Sequence, residues 1–169
     1  MALFETAKYE IIKKNKNIEI RKYYTFYLAN TKTSLDRNQS NGFNNVFSYI
    51  SGENESNQKI SMTVPVVTSI EENKLVTGFV LPAKFSPNIP VPSNSNVFIE
   101  EIKDGYFISL KFSGSWTTKN FDKHDQLLLE YIAKNDIKVI SKRYILRYQP
   151  PFVPSVFRRN EVLYRIENI

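Results

Sequence analysis

The chain contains no cysteine. Disulfides, thiolate metal sites and cysteine nucleophiles are thereby excluded. The absence is compatible with a reducing compartment, and a cytoplasmic protein is expected. Glycine is scarce, with five residues in 169 and none clustered. No glycine-rich phosphate loop can be built from them. A single histidine, His124, leaves no second imidazole at helical spacing for a zinc site of the protease type. It lies between Phe121 and Leu128 on or beside an apolar helical stripe, so a structural, hydrogen-bonded role is expected for it. No apolar run approaches the roughly 20 residues needed to cross a bilayer. The opening MALFETAKYEIIKKN has no basic leader followed by a continuous apolar stretch, so no signal peptide is expected.

Long charge runs are missing as well. The formal net charge is +6, yet no run of basic residues exceeds two. A surplus of this sign favours acidic partners. No RNA-recognition, KH or cold-shock motif accompanies it, and no nucleic-acid partner is expected. Glu100 and Glu101 would point to opposite faces of a strand, which argues against a shared carboxylate pair with Asp104. No catalytic residue and no metal ligand emerges from these patterns, and a non-enzymatic protein is expected. The sequence leaves the oligomeric state open.

What is present is β-rich. Hydrophobic residues make up 41% of the chain, charged residues 24% and aromatics 14%. That aromatic share can fill a core or line a site. Alternation predicts strands in YEII, KNIEIRKYYTFYLANTKT, KISMTVPVVTSI, NKLVTGFVLP, NVFIEEI, GYFISLKFSG, KRYILRYQ and NEVLYRIE. A change of phase near Tyr23 predicts a bend or bulge in the second of these. EEN and KDG read as two hairpin turns. In QKISMTVPVV, Ile60, Met62 and Val64 fall on one side of the predicted strand, and Pro65 marks an edge or a bulge.

Two segments carry helical periodicity. SNGFNNVFSYISG spaces Phe43, Val46, Phe47 and Ile50 along one face, with Ser40 or Asn41 as cap and Gly52 at the left-handed end. TTKNFDKHDQLLLEYIAKND places Phe121, Leu128 and Ile132 on a stripe widened by Leu127 and Tyr131, after a cap at Thr117 or Thr118. The order of strands, helix and two strands occurs twice. It predicts an α+β fold of pseudo-duplicated halves in a single domain spanning 1–169. The proline-rich LPAKFSPNIPVPSNSN reads as an exposed connector between the halves. In YQPPFVPSVFRRNEVLY, Phe152 and Phe157 read as apolar anchors between prolines. The loop is either a latch, with Arg159 pairing a carboxylate, or a ligand lid.

Several of these blocks coincide with one known family. KISMTVPVV resembles the K-I-x-M-T-x-P-V segment of the SOUL heme-binding protein family, and YQPPFVPSVFRRNEVLY resembles its C-terminal signature. YEIIKKNKNIEIRKYY is similar to the family's first block, and GFNNVFSYISGEN to its first helix and the turn after it. The resemblance spans nearly the whole chain. It implies a distorted antiparallel β-barrel of about eight strands flanked by two helices. It also implies non-catalytic binding of heme or a related tetrapyrrole in an apolar surface groove.

Carried onto this chain, the resemblance makes Ile60, Met62 and Val64 the wall of the heme pocket. Lys59 or Arg143 is expected to meet the heme propionates. Some members have been assigned an axial histidine in the first strand block, but here that block reads IRKYYTFYLANT and holds none. The resemblance therefore implies heme bound without a strong axial histidine, with Tyr23, Tyr24 or Met62 as weak ligands. The alternative is a module for another hydrophobic small molecule, as in the gyrase-inhibitor-like effector-binding domains.

Overall fold

A computed structural model of the chain describes residues 4–35 and 40–169, the side chains of Ser40 and Asn41 excepted. The expected helix cap at Ser40 or Asn41 therefore rests on side chains outside the described residues. In chain order the elements are β1 (Tyr9–Asn15), β2 (Ile18–Tyr23), β3 (Phe26–Ser34), α1 (Ser40–Ile50), β4 (Val66–Glu71) and β5 (Lys74–Val80). They continue with β6 (Val97–Ile102), β7 (Gly105–Phe112), α2 (Thr118–Lys134), β8 (Tyr144–Arg147) and β9 (Asn160–Arg165). The fold is α+β, as predicted. The strands number nine because the long second candidate is two strands, separated just after Tyr23 where its phase changes.

The chain forms two compact units. One takes the residues up to Ala7 and Thr25–Lys103, and the other takes Lys8–Tyr24 and Asp104–Ile169. In the first unit the strand order is β4-β5-β3-β6, and in the second it is β1-β2-β7-β9-β8. Every strand pair within a unit is antiparallel. Within each unit the ladder does not close on itself, so "barrel" describes the arrangement loosely.

The two expected hairpins part company. β4 and β5 pair from Val66↔Phe79 to Glu71↔Lys74 around a two-residue turn, Glu72–Asn73, with φ of 50° and 59°. Positive φ at both positions twists the turn to match the strands. β6 and β7 do not form the hairpin that KDG predicts. β6 pairs with β3 in the first unit, and β7 pairs with β2 and β9 in the second.

Each helix lies on an apolar sheet face. In the second unit, Ile20, Ile108, Leu110, Phe112, Val162 and Tyr164 meet Phe121, Leu128 and Ile132 of α2. Those three are the predicted stripe. Leu127, expected to widen it, is instead exposed. Thr117 caps α2 by accepting from Asn120 N at 3.2 Å. In the first unit, Ala29, Phe79 and Val97 meet Val46, Tyr49 and Ile50 of α1. Phe43 and Phe47 lie on the rim of the predicted stripe and remain largely exposed. Gly52 has φ +124°, the left-handed turn expected after α1.

The proline-rich stretch is not a connector between halves. It lies wholly within the first unit, where Phe85 and Ile89 pack on the α1 core and Pro90 O accepts from the Tyr49 hydroxyl at 2.6 Å. The predicted strand through Ile60, Met62 and Val64 is also not found, because β4 begins only at Val66. What precedes it is irregular chain with a cis Val64–Pro65 peptide and one isolated bridge, Thr63 to Glu5.

Candidate functional site

The segment from Lys59 to Pro65 is tied down at three points. Ile60 N donates to Ile50 O at the end of α1 (2.8 Å), and Val64 N donates to Glu5 O (3.0 Å). The Thr63 hydroxyl donates to Val80 O. These bonds set which side chains look outward. Ile60 is buried in the α1 core, Thr63 is buried, and Val64 is half-buried. Met62 is 41% exposed. The three residues expected to share one wall therefore do not share a face. Alternation fails because the chain is not a strand here, and the hydroxyl of Thr63 satisfies a carbonyl that a strand partner would otherwise take. Lys59 is exposed.

In the same unit, α1 presents Phe43 and Phe47, stacked with centroids 5.9 Å apart, and Phe43 meets Phe79 edge-on. An exposed stacked pair of aromatics and an exposed thioether follow one another in the same unit. Both are adaptable apolar contact surfaces.

The remaining expected residues lie in the other unit. Tyr23 is buried, and its hydroxyl accepts from Arg21 Nη1 at 3.0 Å. Burial pushes its phenol above the ordinary value, so the tyrosinate an iron would need is disfavoured. Tyr24 is exposed and donates to Glu10, a bond to a carboxylate that also raises its phenol. Arg143 is bound by Asp122 (3.1 Å) and Asp125 (3.2 Å), so its charge already has two carboxylate partners. Burial opposes that charge, but the two aspartates outweigh it and hold the guanidinium protonated. His124 stacks on Phe112 at 4.0 Å, and its Nδ1 lies 2.7 Å from Asn120 O. This is the hydrogen-bonded structural position expected for it.

Sequence reasoning missed a second concentration of polar groups. On the sheet face away from α2, Arg21 is wholly buried beside Glu19 and Glu161. Arg21 Nε donates to Glu19 at 2.8 Å and Nη2 donates to Glu161. Glu161 also accepts from Ser109 Oγ at 2.7 Å and from Arg159 Nη2 at 3.1 Å. Tyr9 covers the Arg21 guanidinium at 4.4 Å, and Tyr148 meets that of Arg159 at 4.0 Å.

Burial alone would raise both glutamates. For Glu161 the Arg21 and Arg159 charges and the Ser109 hydroxyl outweigh it, and for Glu19 the Arg21 bond and Lys111 do. Both carboxyls sit below the ordinary range. Carboxylates held so firmly charged are weak proton acceptors, and the arrangement acts as a clamp across β2, β7 and β9. The expected pairing of Arg159 with a carboxylate is the part of it that the sequence reached. Arg21 and Glu19 alternate with Ile18 and Ile20, a pattern that reads as a solvent face.

Comparison with known proteins adds the following. A family model described as SOUL heme-binding protein matches residues 4–165. Heme-binding protein 2 of Mus musculus is 30% identical over 130 residues, which cover 72% of this chain and 62% of that protein. The chain thus spans about three fifths of that relative's length. Among solved structures, the EcmrR C-terminal domain superposes with a TM-score of 0.65 at 7% identity, covering 95% of this chain and 99% of that one. A hydrolase from Listeria innocua gives 0.63 at 8% identity, covering 92% and 94%. These two likenesses show a shared fold.

Proposed function

The chain belongs to the SOUL heme-binding protein family, and from this we propose that it binds heme or a related tetrapyrrole without turning it over. The family match across nearly the whole chain is the observation that carries the reading. The curated relatives' names point the same way.

Within the chain, the surface best suited to a porphyrin face is that of α1 and the segment after it. Phe43, Phe47 and Met62 offer apolar area there at little conformational cost. Ile60 is buried in the α1 core next to Lys59 in sequence, and the exposed Lys59 is the basic side chain proposed for a propionate. Arg143 serves poorly, since binding would have to displace two aspartates. Neither Tyr23 nor Tyr24 supplies a ready tyrosinate, so binding rests on apolar contact, with the Met62 thioether as the one weak iron ligand of this surface. Phe43, Phe47 and Met62 are each about two fifths exposed, so covering one contributes about 1 kcal/mol, and most of the roughly 8 kcal/mol that micromolar affinity requires comes from the porphyrin's own apolar face.

Titration with hemin, followed at the Soret band, tests this. Saturable binding is expected, weakened about tenfold or more by Phe47→Asp and by Met62→Asp. Both positions are exposed, so the folded state should tolerate the changes. A Soret band that never saturates sinks the reading. Unchanged affinity in both variants moves the site elsewhere. Iron-free protoporphyrin binding as tightly as hemin would show that the iron needs no protein ligand.

A further inference from the structure

The loop Pro150–Phe157 was expected to hold its phenylalanines as anchors, and it does the opposite. Phe152 is 85% exposed, Val156 69% and Phe157 74%. The loop around them is nonetheless firmly built. Val153 N donates to Pro150 O (3.2 Å) and Phe157 N to Pro154 O (2.9 Å). Arg158 reaches back to Val153 O (2.9 Å) and Pro151 O (2.8 Å) and stacks on Trp116 at 4.3 Å. Gly114 N donates to Ser155 O (2.9 Å). Trp116 and Gly114 are themselves bonded to Asn160 at the start of β9 (2.9 and 3.1 Å). Three prolines restrict the backbone further. A loop braced this well presents its apolar side chains outward by construction, and exposed apolar clusters of this kind mark contact surfaces.

Two features identify what the surface meets. The apolar side chains project from a loop tip, which suits a yielding apolar medium better than a preformed flat partner. The chain around the tip is also of one charge. From Ile137 to Asn160 it carries Lys138, Lys142, Arg143, Arg147, Arg158 and Arg159 and no acidic residue. Lys138, Arg143 and Arg159 meet carboxylates elsewhere in the unit. Arg158 directs its hydrogen bonds to two carbonyl oxygens, which leave its positive charge whole. The first turn of α2, which follows Trp116, has no acidic residue either.

We propose that the Pro150–Phe157 loop docks on an anionic lipid surface, with Phe152, Val156 and Phe157 entering the acyl boundary and Arg158, bound to the loop's carbonyls, meeting the headgroups. This use of the loop is independent of porphyrin binding.

The chain carries its own reporter, since Trp116 is the one tryptophan and lies against Arg158. Co-sedimentation with phosphatidylserine-containing vesicles is the direct measurement, with pure phosphatidylcholine vesicles as the neutral arm. Binding to the anionic vesicles is expected, weaker on the neutral ones and reduced by salt. Brominated acyl chains are expected to quench Trp116 fluorescence. The double variant Phe152→Asp/Phe157→Asp changes only exposed side chains. It should lose about 100-fold or more in vesicle partitioning while its hemin titration stays that of the parent chain. Failure of the parent chain to sediment with either vesicle overturns the proposal, as does full binding by the double variant. Dimers that the double variant abolishes, without vesicle binding, would assign the loop to a second copy of the chain and likewise overturn it.

Discussion

The two units share one plan and differ in what they bury. β3, α1, β4 and β5 form the ladder β4-β5-β3, and β7, α2, β8 and β9 form β8-β9-β7. In each unit a further strand flanks the ladder, β6 beside β3 and β2 beside β7, and the second unit adds β1 beside β2. Each helix covers an apolar face. On the opposite face, the first unit buries a single amide, Asn30, which donates to Glu100 at 2.6 Å. The second buries Glu19, Arg21 and Glu161. The same topology thus tolerates either a neutral amide or a set of charges buried on the face away from the helix. The condition for the charged face is that each buried charge meets its opposite, because a buried ion without a partner costs several kcal/mol.

The largest effect is expected at Arg21. Replacing it by Met leaves Glu19 and Glu161 buried without their shared partner. Urea denaturation should show a loss of about 3–5 kcal/mol. A loss under about 1 kcal/mol would mean that water reaches these carboxylates and that the charged face is energetically like the neutral one.

A smaller effect follows from pH. Glu19 and Glu161 have folded-state pKa values below ordinary ones. The unfolded chain therefore takes up protons first as pH falls. Their contribution is complete above the unfolded carboxylate value of about 4.3 and is lost as pH drops through the lower folded values. Stability measured from pH 7 downward should fall more steeply below about pH 4 in the parent chain than in Glu19→Gln/Glu161→Gln. Parallel curves would remove these two groups as the source of acid sensitivity.

How much of this was legible depended on whether the cause was local. The α2 stripe and the β4–β5 turn follow from neighbours in sequence, and both were found. The expected β6–β7 hairpin does not form, although two strands separated by KDG look locally identical to one. Which strand each pairs with is decided by residues far along the chain, at β3 for one and β2 for the other. Glu19 and Arg21 look like a wetted face until Glu161, 140 residues beyond Arg21, closes over them. At Met62 the alternation was read through a point where the backbone leaves strand geometry. The outward position of Met62 was therefore invisible in the sequence. Phe152 and Phe157 were misread because apolar residues between prolines are expected to pack inward, and only the bracing by Arg158 shows that they do not.

The neutral face gives the smallest and most exacting test. Asn30→Ala removes one hydrogen bond, and Glu100, only partly buried, can turn to water, so a loss of about 1 kcal/mol is expected. The neighbouring strand makes this position more informative than its size implies. Asn30 is paired with Gly78 on β5, and a Cβ added at Gly78 would lie 1.8 Å from Asn30 Oδ1. Gly78→Ala should therefore destabilise the parent chain by about 1–3 kcal/mol through overpacking. In the Asn30→Ala background that obstruction is gone, leaving the Ala29 carbonyl at 3.0 Å as the nearest remaining neighbour. The cost of the second change should then shrink by more than about 0.5 kcal/mol, a coupling that a double-mutant cycle resolves. Strict additivity would show that Asn30 does not lie over Gly78, and that the amide of the first unit holds its face together in some other way than the charges of the second.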